Sequence, residues 1–219
     1  MPILATDGNF LTLMVTFKGV PMGYIIQKEL PQLNPTSIYA CQEAVWMDER
    51  FILIWVNQIL GPYLIVNPPP PGVQPVILLN LYQCHMMALV VSKISALGVE
   101  VIHIPGGCTG LCQPLDVGIN RPFKSRIRRL WEEWMTNMIE ATNTVCNAMH
   151  EEVAEWAVAV YWDMVGSKVL KKAWQKTEYD WFPGLGYNDN NDNNDGNDGK
   201  DHNGKEDDSY LNSKDDIFS

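Results

Sequence analysis

Positive charge is scarce in this chain. Its 219 residues hold 16 Lys and Arg against 26 Asp and Glu, a formal net charge of −10. Any electrostatic grip on nucleic acid must therefore rest on a local cluster rather than on the whole surface. Long hydrophobic runs are missing too. No stretch of about 18 apolar residues occurs, so no segment is predicted to span a membrane. Cysteine is present five times, at Cys41, Cys84, Cys108, Cys112 and Cys146. An odd number at irregular spacing argues against a disulfide framework and for free thiols in a reducing compartment. Met1-Pro2 leads straight into the strand-like LATDGNF, so no signal peptide is expected. No internal repeat marks the folded part.

The apolar fraction of 46% is enough to build one core. The charge is unevenly shared. Asn188 to Ser219 holds ten acidic residues and three lysines, while residues 1–187 hold 16 acidic and 13 basic groups. The body is near neutral, and the end is an Asn/Asp/Gly-rich acidic tail with little to bury, predicted to be disordered. Residues 1–183 are expected to form one folded unit and 184–219 the tail.

Periodicity divides the folded part. Asp7-Gly8 between Ile3–Ala5 and Phe10–Phe17 predicts a hairpin. Gly19 to Pro35 is interrupted by Gly and Pro and reads as loop. Ser37 to Ala40 reads as a short strand. Asp48 to Leu60 has a helical apolar face, with Asp48 able to cap it and Gly61-Pro62 expected to stop it. Pro68 to Pro71 reads as a rigid surface loop. Val76 to Leu79, directly before Asn80, reads as a buried parallel strand. Gln83 to Leu97 reads as a helix ended by Gly98, and Val99 to Ile104 as a second buried strand. Together they predict a βαβ unit. Arg121 to about Met138 is an amphipathic helix with Phe123, Ile127, Leu130, Trp134 and Met138 on its apolar face. Glu151–Val165 and Ser167–Gln175 predict two more helices, and Trp181–Pro183 closes the folded unit.

Open α/β sheets gather functional groups where strands end. Asn80 stands at one strand end, and Asp116 lies in the loop after the next strand. Hard divalent ions need oxygen ligands, mostly carboxylates. Asp116 is thus the candidate metal ligand, and Asn80 a neutral residue at the partner position. Cys84, His103, Cys108 and Cys112 lack the paired spacing of a zinc knuckle. Arg121, Lys124, Arg126, Arg128 and Arg129 form a dense basic cluster. It fits a DNA backbone, or a solvated helix face with Arg128–Glu132 and Arg129–Glu133 pairs.

Longer strings carry a resemblance. IPGGCTGLCQPLDVGINRPFK is similar to the Pro-x-x-Cys-Thr-x-x-x-Gln-Pro-Leu-Asp block of DDE-type transposases of the pogo/Tigger/jerky kind. VILLNLYQCH resembles the block of that family's second Asp, with His85 in register. ATDGNFLTLMVTFKG resembles the hairpin after its first catalytic strand. The resemblance covers roughly residues 3–183. It implies an α/β, ribonuclease H-like core with C-terminal helices, a nuclear location, DNA as partner and Mg²⁺ or Mn²⁺ as cofactor.

Carried over position by position, the resemblance makes Asp116 the third carboxylate and Asn80 the second position with its carboxylate lost; His85 reads either as a residue that assists a metal or a phosphate or as a helix-face histidine packed or capping locally. The first carboxylate belongs on a strand upstream of the hairpin, and the chain begins at the hairpin. Asp7 reads as a turn residue. Losing a charge that would touch the metal costs at least the roughly 10–100-fold seen when only a group orienting a ligand is changed. The implied function is a transposase-derived DDE domain with weak, non-specific DNA binding, little catalysis and no productively bound metal. An active endonuclease known from an incomplete gene model is the alternative. A domesticated module that binds itself or host nuclear proteins is another.

Overall fold

A computed structural model of the protein describes residues 11–20, 22–43, 47–165, 169–177 and 179. Two short parallel strand pairs lie among helices. Strand β1 (Met14–Lys18) pairs in parallel with β2 (Ile38–Gln42), in register from Met14↔Ile38 to Lys18↔Gln42. The first arm and turn of the expected hairpin lie outside the described residues. Its second arm, β1, takes β2 as a parallel partner.

A parallel pair needs a crossover, and residues 19–37 supply it. The expected loop there contains a π-helical turn at Ile25–Glu29 and a 3₁₀ turn at Leu30–Gln32. Pro31 is tolerated because it sits in the first turn, where its missing N–H has no helical partner to lose.

Helix α1 (Glu49–Trp55) is capped as expected: the Asp48 carboxylate accepts from the Phe51 N–H at 3.0 Å. Gly61-Pro62 does not stop the helix. A π-helical turn at Val56–Leu60 leads into α2 (Gly61–Val66), and the Gly61 N–H reaches back to the Val56 carbonyl. Pro62 has no N–H to offer Gln58, and its ring would clash with that carbonyl in a regular helix. The wider turn absorbs both problems. Phe51, Ile52, Trp55, Val56 and Ile59 are buried and form the centre of the main core. Burying each such side chain contributes about 1.5–3 kcal/mol.

Strand β3 (Val76–Asn80) pairs in parallel with β4 (Glu100–Ile104), with Asn80 opposite Ile104. Helix α3 (Ala88–Ala96) makes the crossover and buries Val90 and Ile94 completely. Gly98, at φ +76, ends the crossover in a conformation that favours glycine. The expected helix over 83–97 is not continuous. Residues Gln83–Met86 form a 3₁₀ turn, and Met87 is extended before α3 starts. The strands are also less buried than their apolar runs predict. Leu79 and Ile104 are buried, yet Val76 is 37% and Ile102 40% exposed. Among the described residues the two pairs form separate two-stranded sheets, so one face of β3–β4 lacks the cover that a continuous layered core supplies.

After β4, a single helical turn α4 (Thr109–Cys112) and a π-helical turn at Leu115–Ile119 lead into α5 (Asn120–Thr142). Helix α5 runs 23 residues, past the expected end near Met138, and stops at Asn143 in a left-handed conformation, φ 53. Helices α6 (His150–Val165) and α7 (Val169–Lys176) follow the expected pattern. Helix α6 packs against α5 and α7 against the preceding π-helical turn, with Val160, Met164, Leu170 and Ala173 gathered around Ile119. The Tyr161 hydroxyl donates to the Leu11 carbonyl and ties α6 to the chain entering β1. Trp181–Pro183 and the acidic tail lie outside the described residues.

Candidate functional site

Asn80 ends β3, and its side-chain oxygen is buried without a hydrogen-bond partner. Its main-chain oxygen lies 3.2 Å from His85 Nδ1. The 3₁₀ turn Gln83–Met86 folds His85 inward, so that the ring is buried beneath the strand end. Geometry assigns the proton to Nδ1, which donates to the Asn80 carbonyl. Nε2 is buried and has no partner. Burial holds His85 below the usual histidine range; the Asn80 carbonyl opposes that shift and neighbouring His103 adds to it. His103 Nε2 lies 3.4 Å from the His85 carbonyl.

Asp116 sits in the first turn of the π-helical segment and is exposed. Its carboxylate accepts from Asn120 Nδ2 at 2.7 Å, and its own N–H donates to the Gln113 carbonyl at 3.0 Å. The segment packs chiefly on α7, α5 and α4 rather than on β3. Asn80 is thus the last residue of β3, whereas Asp116 lies beyond β4 and α4, and no hydrogen bond joins the two among the described residues.

Two-ion phosphodiester chemistry needs several carboxylates converging on the ions. The donor set here does not fit that requirement. Among the described residues no three His, Cys, Asp or Glu side chains converge on a metal position. Asn80 offers a neutral oxygen shut away from solvent, and Asp116 is one exposed carboxylate. Cys84, His103, Cys108 and Cys112 form no metal-holding group either, and all five cysteines are free. Asp7 lies outside the described residues.

Sequence reasoning did not single out Gly118. A β-carbon there would fall 2.6 Å from the Ala173 β-carbon and 2.9 Å from its α-carbon. The missing side chain lets α7 lie directly against the turn that carries Asp116. A glycine two residues after Asp116, inside an otherwise helical string, was the available signal.

The basic cluster divides in two. Arg126 reaches across to pair with exposed Asp163 on α6 at the surface, and Arg129 lies 3.7 Å from Glu133 as expected. The expected Arg128–Glu132 pair is absent among the described ion pairs. Arg121, Lys124 and Arg128 are exposed, recur at three- and four-residue steps, and so share one face of α5 without an acidic partner among the described residues. That face begins five residues after Asp116.

A family model described as DDE superfamily endonuclease matches residues 3–174. A mouse (Mus musculus) protein, "Pogo transposable element with KRAB domain", is 24% identical over 139 residues, covering 62% of this chain and 22% of the relative. Its human (Homo sapiens) namesake matches to the same extent. A human "Pogo transposable element with ZNF domain" is 24% identical over 149 residues, 68% of this chain and 10% of the relative. The chain therefore spans about a fifth or less of the length of these curated relatives. No solved structure matches.

Proposed function

The chain belongs to the DDE superfamily endonuclease family and is a transposase-derived domain of the pogo type; from that premise we propose that it holds DNA through the α5 basic face and does not cut it. The observation that carries this reading is the end of β3. A neutral amide stands where the family's chemistry calls for a carboxylate, and its oxygen is buried. Without that charge, two ions cannot be clamped between the strand end and Asp116. Mg²⁺ and Mn²⁺ belong to the family's reaction, which this donor set does not support.

Arg121, Lys124 and Arg128 serve as phosphate contacts. Such contacts position a backbone and carry no sequence information. The binding is accordingly non-specific and salt-dependent. The site of action is the nucleus, where the DNA is. Among the described residues no helix is long and apolar enough to cross a membrane.

The test combines two assays on the full chain. Anisotropy with a labelled random duplex should show binding whose affinity falls steeply with salt. Supercoiled plasmid with Mg²⁺ or Mn²⁺ should stay uncut. Robust metal-dependent nicking that is lost in Asp116→Asn would overturn the reading.

A second reading retains cleavage within a longer protein. It is favoured by the exposure of Asp116 and by the small share of each relative that the chain matches. It requires a carboxylate supplied from elsewhere and a strand end that tolerates Asn80.

A further inference from the structure

The α5 basic face and the acidic segment from Asn188 to Ser219 carry opposite charge in one chain. We propose that this segment is the resident occupant of that face and excludes DNA from it at low salt. The proposal rests on the phosphate-binding role assigned above to Arg121, Lys124 and Arg128, because a row of carboxylates and a phosphodiester backbone present the same anionic oxygens.

Three observations fix the occupant. The first is the unused charge. Arg126 and Arg129 have acidic partners, whereas Arg121, Lys124 and Arg128 are exposed without one among the described residues. These three span about 10 Å of helix at 1.5 Å per residue.

The second is where the chain leaves the folded body. Ala173 of α7 lies against Gly118, three residues before Arg121. Beyond α7, the Tyr179 ring lies 6.0 Å from Trp174, and its hydroxyl is in hydrogen-bond reach of the Cys112 thiol. The outgoing chain therefore starts beside the N-terminal end of α5. The ten residues from Tyr179 to Asp189 can span up to about 33–36 Å, several times the length of the face.

The third is spacing. Asp189, Asp192, Asp195, Asp198 and Asp201 recur at every third residue. In an extended chain of three residues per turn, such carboxylates fall on one side about 9 Å apart. That interval matches the separation of Arg121 from Arg128. The segment's ten acidic residues outnumber its three lysines, so the attraction is net favourable along its length. Tethering holds it near the face at an effective concentration on the order of millimolar. Salt weakens the contact, since the Debye length shrinks from about 10 Å at 0.1 M to about 3 Å at 1 M.

The test uses the full chain in two arms. In the first, a zero-length carbodiimide joins Lys124 to any carboxylate in contact with it, and mass spectrometry reads the partner. Cross-links from Lys124 to residues 189–208, lost in 0.5 M NaCl, are expected. Their absence, while other lysines of the chain do cross-link, overturns the proposal. In the second arm the ten acidic residues of the segment are changed to their amides, and binding to a random duplex is compared with the natural chain. On the order of tenfold tighter binding at low salt is expected, a typical size for coupled sites, shrinking to nothing at high salt. Equal affinity of the two proteins overturns the exclusion of DNA. If neither protein binds DNA while the Lys124 cross-links persist, the DNA-binding reading fails and the intramolecular contact stands.

Discussion

Gly118 and Ala173 meet so closely that a β-carbon on the glycine would lie 2.6 Å from that of the alanine. The α-carbon of Ala173 lies 2.9 Å from the same point, so side-chain rotation cannot relieve the clash. Ala173 is fully buried and joins α7 to the core around Ile119. Gly118→Ala should therefore destabilise the protein by about 1–3 kcal/mol, the usual cost of overpacking. Urea unfolding monitored by tryptophan fluorescence measures it. Adding Ala173→Gly should recover part of the loss, though glycine within α7 itself costs about 0.5–1 kcal/mol. Simple additivity of the two changes would mean that they do not share this contact.

His85 gives the fold a pH dependence of known sign. Its folded pKa is depressed, chiefly by burial, so the unfolded chain binds the proton more readily. Stability contributed by the neutral ring is complete above the unfolded value near 6.5 and is lost as pH falls from there through the folded value. One proton makes that slope at most about 1.4 kcal/mol per pH unit. The urea midpoint should drop between pH 7.5 and 5.5, and it should drop less in His85→Gln. A variant with the same acid sensitivity as the natural chain would place the titration elsewhere.

Much of this arrangement is legible in the sequence because it depends on local chemistry. Asp48 caps α1 through the Phe51 N–H three residues on. Gly98 ends the α3 crossover, and the apolar steps from Phe123 to Met138 mark one face of α5. What the sequence hides depends on distant partners. Pro62 breaks a regular helix, yet the π-helical turn before it lets the chain continue to Val66. Arg126 looks like its basic neighbours until Asp163, 37 residues away, claims it. The candidate site divides in the same manner. Asn80 is legible as a strand-end residue and Asp116 as one beyond the next strand, whereas the burial of the Asn80 oxygen depends on how the 83–86 turn folds and on the packing around it.

That division of the basic cluster makes Arg126 the internal control for DNA binding. Replacing Arg121, Lys124 and Arg128 together by Gln should abolish binding at moderate salt and reduce the salt slope by about 0.9 per lost contact. Arg126→Gln should leave the slope unchanged. It should cost stability only about 0.2–1 kcal/mol, because its pair with Asp163 is partly solvated. Anisotropy titrations at four salt concentrations separate the two. An equal loss of slope in both variants would show that Arg126 leaves Asp163 for the phosphates.

Restoring the carboxylate tests whether β3 still ends in a metal position. The Asn80 side-chain oxygen has no partner to receive a negative charge, and the neighbouring His85 is neutral at pH 7.5. Asn80→Asp should therefore lower stability by about 1–3 kcal/mol at that pH, the cost of an unsatisfied buried group, and more where the charge persists. Burial favours the protonated acid. The unfolded chain then loses its proton more easily than the folded one, so the deficit should shrink as pH falls towards 5. Mg²⁺ discriminates between a closed strand end and an open one. At a closed end the variant melts at the same temperature with or without the ion, and plasmid stays intact. At an open end the restored carboxylate and Asp116 would take up Mg²⁺, stability would rise by RT ln(1 + [Mg²⁺]/Kd), and the melting temperature would rise with it. A rise in melting temperature that needs Asp116 as well as the new Asp would sink the non-cleaving reading, because a usable pair of ligands would have survived around a single substituted atom.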